Sequence, residues 1–284
     1  MKFQCRSIVK LLLFLIISLP LSTVFGQGSL TPPGAPVPTM KSLDQIEPRT
    51  PVDAAHTPGN FSASYIISQP GSYYLAGNLT GESGKRGIEI DVGNVTLDLN
   101  GFTLQGVNGS ANGVYFSHAT DRNATVRNGT ITGWGGSGIN YPGRNGIFEQ
   151  LILATNLTGI ACGDNCQIWG CTINENVQSG VFVVGSGNLI SRNNCAGNNT
   201  QNTSLAGGIY VVGNQNRIEG NHVTGSGSAG YGIYVGGATN TIIQNSVLGG
   251  SGNNYSISGG NFFGPLINVA GTITNSNPWA NFSF

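Results

Sequence analysis

Short runs of alternating apolar and polar residues recur along this chain, separated by clusters of Gly, Asn and Ser. Alternation is the period of a half-buried strand, and the clusters are turn chemistry. No segment keeps a helical period over ten residues. The pattern repeats most clearly in GIYVVGNQNRIEGNHVTG from Gly208 and GIYVGGATNTIIQNSVLG from Gly232. Stacking the two copies puts Ile209 on Ile233, Ile218 on Ile242, Asn221 on Asn245 and Val223 on Val247. A Gly followed by Ile or Val marks the same frame at Gly87, Gly113, Gly138, Gly159, Gly180, Gly208 and Gly232, in steps of 26, 25, 21, 21, 28 and 24 residues. A further step of 24 reaches Ile257. A repeat of this length cannot bury an apolar face alone but can bury it on its neighbours. The expectation is an all-β, right-handed parallel β-helix solenoid of seven or eight coils, capped at both ends, its coils about 4.8 Å apart.

Residues 61–284 form this domain, with an N-terminal cap over 61–86 around the Pro-Gly turn of SYIISQPGSYYLAGNL and an aromatic C-terminal cap over 261–284. Residues 27–60 carry TPPGAPVPT and EPRTPVD and read as a Pro-rich linker or a tail lying along the solenoid. Residues 1–26 read as a signal peptide: Lys2, Arg6 and Lys10, then the apolar run Leu11–Leu19, then Val24-Phe25-Gly26. That run is too short to span a bilayer, so the mature protein is expected to be secreted, periplasmic or held at the cell surface, without a membrane span.

Composition narrows the partners. Of 284 residues 45 are glycine and only 8% are charged, with a formal net charge of zero. No basic stripe exists, which argues against nucleic acid. Among the cysteines expected to remain after export, Cys195 aligns with Val223 and Val247 and belongs to the core, while Cys162 and Cys166 flank a turn and could close a short loop. With Cys171 they could instead suggest a metal site, but no histidine lies nearby, and no metal or cofactor is expected.

The repeated GI-x-V and N-x-I-x-x-N-x-V strings resemble the pectin-lyase-like parallel β-helix superfamily, in particular its short NosD-like carbohydrate-associated repeats. The stretches ISQPGSYYLAGNLTG, NVTLDLNGFTL and VRNGTITG are similar to exported bacterial β-helix proteins of unassigned role. The resemblance implies the fold over residues 61–284 and leaves activity open, because the fold hosts lyases, hydrolases, epimerases, adhesins and scaffolds. The Asn-Thr-Asp, Asp-Asp, Gly-His-Gly and Arg-x-Lys signatures of polygalacturonase-like members do not occur here. Nor does the carboxylate cluster of pectate-lyase-like members.

In a solenoid each register position becomes a column. One outward column reads Glu89, Tyr115, Asn140, Ala161, Phe182, Tyr210, Tyr234 and Ser258. Its aromatics Tyr115, Phe182, Tyr210 and Tyr234 are candidate platforms for sugar rings, or they stack on one another for stability. A second outward column reads Asp98, Arg127, Glu149, Trp169, Ser191 and Glu219. Asp98, Arg127 and Glu149 make an acid–base–acid arrangement that could move a proton on a sugar, or a plain ion-pair ladder. His118, Asp121 and Arg122 share a loop near Glu89 and Asp91, the densest ionisable patch of the chain. Asn193, Asn221 and Asn245, with Cys171 in the coil before, form a structural column in which amides bridge coils.

No Asp, Glu, Lys or Arg follows Glu219, whereas enzymes of this fold gather such residues on one face. The expectation is a non-catalytic, monomeric module that binds polysaccharide or a cell-surface glycan, or serves as a surface scaffold. The alternative is a polysaccharide lyase or glycoside hydrolase.

Overall fold

A computed structural model describes residues 48–249 and 254–284. The signal-peptide expectation and the Pro-rich segment up to residue 47 lie outside these residues. The described chain is a parallel β-solenoid with no α-helix, and no helix in it is long and apolar enough to cross a membrane.

Each coil contributes up to three short strands, one to each of three faces, and every ladder between coils is parallel. The first face begins with Ala63–Ile67, paired to Arg86–Ile90, and ends at Tyr255–Ile257. Nine coils cross it, against the seven or eight expected. The extra coil is the stretch assigned from sequence to the N-terminal cap. It lacks the Gly-Ile signature, yet Tyr65 lies opposite Ile88 and Ile67 opposite Ile90. On the second face Thr50–Pro51 pairs with Gly71–Tyr74, which brings Arg49 to the edge of that face.

Alternation fills the interior with one residue per coil at each inward position. Val114, Ile139, Ile160, Val181, Ile209 and Ile233 run down the first face, and Val126, Phe148, Ile168, Ile190, Ile218 and Ile242 down the second. All are fully buried, as are Val223, Val247 and Cys195 on the third. Burial of this kind contributes about 1.5–3 kcal/mol per large side chain. Cys162, Cys166, Cys171 and Cys195 are buried free thiols.

The corners explain the Asn content. At each one a residue enters the left-handed backbone region: Gln215 and Thr239 at the first corner, Arg192, Gly220 and Gln244 at the second, Thr155, Glu175 and Gly197 at the third. After each of these residues comes an asparagine whose amide points inward. Asn188, Asn216, Asn240 and Asn261 form one ladder, Asn193, Asn221, Asn245 and Asn281 a second, and Asn156, Asn176 and Asn198 a third. In each ladder the side-chain oxygen accepts from the coil before, while the NH2 donates to a corner carbonyl, as Asn221 does to Ile190 at 2.9 Å. Backbone groups that a bend would orphan are thus satisfied inside the core. Sequence reading found the second ladder only.

Candidate functional site

The second column of charged residues forms as its spacing predicts. Asp98 lies opposite Arg127, Arg127 opposite Glu149, Glu149 opposite Trp169, and the column continues through Ser191 to Glu219. Asp98 is the most heavily engaged member. The Asp98 carboxylate is only 7% exposed and takes one oxygen to Arg49 and Arg127, both at 3.3 Å. The other accepts from Asn128 at 3.1 Å and from the Asn100 backbone N–H at 2.8 Å. Glu149 accepts from the Trp169 indole N–H at 2.9 Å. Two guanidiniums and two further donors thus hold the Asp98 carboxylate.

The first-face aromatic column also keeps its register: Glu89, Tyr115, Asn140, Ala161, Phe182, Tyr210, Tyr234. Its last member is Ser256 rather than Ser258, because Ile233 lies opposite Tyr255 and the step there is 22 residues. The rings face each other instead of solvent. Tyr210 and Tyr234 stack with centroids 4.3 Å apart and planes within 12°, Phe182 leans on Tyr210 at 6.0 Å, and Tyr231 on Tyr234 at 5.1 Å. Tyr210 is left 7% exposed, and burial raises its phenol pKa. Tyr115 stands apart, with the Arg86 guanidinium 4.0 Å over its ring. The 4.3 Å Tyr210–Tyr234 stack is the arrangement by which aromatic neighbours on successive coils stabilise a face.

At the first corner Ser117 donates to Asp91 at 2.6 Å and lies 2.8 Å from His118 Nδ1. Asp121 is almost buried, its Oδ2 has no hydrogen-bond partner, and His118 Nδ1 is 3.9 Å away. Burial pushes the Asp121 carboxyl above the ordinary carboxylate range, against the opposing pull of His118. Glu89 is bound instead to Arg86, at 2.8 Å. Among the described residues no group of three or more His, Cys, Asp and Glu side chains is arranged to hold a metal.

The feature that sequence reading passed over lies where the second face ends. Phe262 stacks under Thr241 and Thr241 under Arg217, while Ile243 lies under Glu219. Gly264 follows, and the Trp279 backbone runs so close that a Cβ at Gly264 would collide with the Trp279 carbonyl. Gln244 holds the same segment by donating to the Pro278 carbonyl at 2.8 Å, and Trp279 N–H is capped by Asn277 Oδ1 at 2.8 Å. The result is a groove of about 410 Å³ with Trp279, Phe262, Ile243 and Pro265 on its walls and Arg217, Thr241 and Asn277 as its polar groups. Here ring faces are open: Trp279 is 53% exposed and Phe262 65%.

No family model matches the chain, and no curated protein matches it in sequence. Solved structures do. A mutant DFA-IIIase from Arthrobacter chlorophenolicus A6, in complex with DFA-III, is 12% identical with a TM-score of 0.50, over 69% of this chain and 60% of that one. The periplasmic alginate epimerase AlgG is 16% identical with a TM-score of 0.39, over 66% and 55%. The Dettilon tailspike protein is 14% identical with a TM-score of 0.43, over 78% and 60%. The likeness to the DFA-IIIase is one of fold, a parallel β-helix. This chain spans about three fifths of the length of the DFA-IIIase chain.

Within this β-helix the second face therefore divides in two. Its middle carries the ion pairs of Asp98 with Arg49 and Arg127, and its C-terminal end carries the open aromatic groove. The density of aromatics in FFGP and NPWANFSF was the available signal for the groove. It reads equally well as a cap, because covering the last coil and presenting a ring to solvent draw on the same residue types.

Proposed function

We propose that this chain is an exported, non-catalytic β-helix that binds carbohydrate in the groove formed by Phe262, Ile243, Thr241, Arg217, Asn277 and Trp279. The observation that carries the reading is the exposure of the Trp279 and Phe262 rings on a groove of about 410 Å³ with hydroxyl, amide and guanidinium groups beside them. Sugar rings have apolar C–H faces and a hydrogen-bonding rim, so an open aromatic surface flanked by hydrogen-bonding groups matches both. The reading is supported further by the engagement of Asp98 with Arg49 and Arg127 and of Glu149 with the Trp169 indole. Export rests on the sequence of residues 1–26.

The test is a glycan screen and a reducing-end release assay on the same purified protein. Binding without release is expected, and Trp279→Ala and Phe262→Ala should each weaken it about tenfold, the equivalent of about 1.4 kcal/mol. Release of reducing ends that disappears in Arg127→Ala but survives in Trp279→Ala would replace this reading with the enzymatic one.

A further inference from the structure

Accepting the groove as a carbohydrate site, its charge settles which carbohydrates it takes. Arg217 is the one charged residue on its wall, and the Arg217 Nε lies 2.5 Å from Glu219 Oε2. The Arg217 and Glu219 side chains are outward neighbours on one strand, 47% and 27% exposed. The remaining walls, Thr241, Ile243, Phe262, Phe263, Gly264, Pro265, Asn277 and Trp279, are uncharged. The sequence supplies no other ion from this end, since no Asp, Glu, Lys or Arg follows Glu219 through Phe284.

We infer that the groove selects neutral glycans and discriminates against uronate-containing ones, with Glu219 as the residue that sets this preference by neutralising Arg217. An acidic polymer brings a carboxylate on each ring. Seating that carboxylate against Trp279 and Phe262 strips its water, and Arg217, the one cation among the described lining residues, already has a carboxylate partner. A neutral sugar meets no such cost: its hydroxyls can use the Asn277 amide, the Thr241 hydroxyl and the remaining guanidinium N–H groups, while its C–H face covers the rings. Removing the Glu219 charge should turn the same groove into a weak anion site, because a guanidinium without its partner is a ready carboxylate ligand.

The experiment compares hexaoses of glucose, mannose and xylose with hexagalacturonate, by titration calorimetry at 20 and 300 mM NaCl. The proteins are the parent, Glu219→Gln and Trp279→Ala. The expected result is that at least one neutral hexaose binds the parent with affinity that changes less than threefold between the two salts, while hexagalacturonate binds at least tenfold more weakly. Glu219→Gln should raise the ratio of acidic to neutral affinity at least fivefold at 20 mM NaCl, and the gain should vanish at 300 mM. Hexagalacturonate as the tightest Trp279-dependent ligand of the parent would overturn the inference and leave the groove as a carbohydrate site. An unchanged ratio in Glu219→Gln would overturn the role of Glu219. Failure of every sugar to bind in a Trp279-dependent way would overturn the carbohydrate reading itself.

Discussion

Replacing Asn221 by leucine tests the corner ladders quantitatively. Asn221 is 1% exposed, and its Oδ1 accepts from both the backbone N–H and the side-chain NH2 of Asn193, each at 3.0 Å. Its own NH2 donates to the Ile190 carbonyl at 2.9 Å and to Asn245 Oδ1 at 3.0 Å. Leucine fills a similar volume, so water cannot enter to replace the amide. Two buried donors on Asn193 then lose their acceptor and the Ile190 carbonyl loses a donor. At about 1–3 kcal/mol for each stranded donor the loss is about 2–6 kcal/mol. That is a large part of a typical domain stability of about 5–15 kcal/mol. Urea unfolding followed by far-ultraviolet circular dichroism measures it, with the exposed neighbour Asn194→Leu as a control expected to stay within about 0.5 kcal/mol. A loss below 1 kcal/mol in Asn221→Leu would refute the claim that the ladders satisfy the bends.

Gly264→Ala places a Cβ against the Trp279 carbonyl and should displace the 277–280 segment, abolishing glycan binding while the far-ultraviolet spectrum is preserved; retained affinity would contradict the groove geometry. Asp98→Asn removes the negative charge between Arg49 and Arg127 and should cost about 1.5–3 kcal/mol in urea unfolding, whereas a neutral effect would mean that the ion pairs are mere surface contacts. Asp121 has its folded pKa raised above the ordinary 3.8, so its protonated form favours the fold and its charged form opposes it. Asp121→Asn should therefore match the parent below pH 3.8 and become more stable than it as pH rises through the acidic range. Unfolding midpoints from pH 3.5 to 7 measure this, and an advantage confined to low pH would contradict it.

The solenoid was legible because its signal is redundant: Ile209, Ile233, Ile218, Ile242, Val223 and Val247 all reach zero exposure at the positions that the two repeat copies assign. Two further Asn ladders went unread although N-x-I-x-x-N was in view. The first asparagine of that string sits at one corner and the second at the next, and only the second was followed from coil to coil. The last coil was misplaced by two residues because alternation cannot detect a shift of two: Ser256 and Ser258 have the same parity. The aromatic column was placed correctly, but a register fixes where a ring starts, not how it turns. Stacking with a neighbour at 4.3 Å follows from side-chain torsions that a sequence does not display. The groove depends on Trp279, from a segment outside the repeat frame, lying against Gly264, so no periodicity could reveal it.

The most direct measurement of the binding claim is residue-level oxidation of tryptophan by N-bromosuccinimide, read by mass spectrometry with and without a bound glycan. The chain has three tryptophans in three environments: Trp134 is 1% exposed, Trp169 is half-buried on Glu149, and Trp279 is 53% exposed at the groove. Saturating glycan should protect Trp279 strongly, leave Trp169 unchanged and find Trp134 unreactive in both states. Protection of Trp169 with Trp279 still oxidised at its free rate would place the glycan on the charged column and contradict the account.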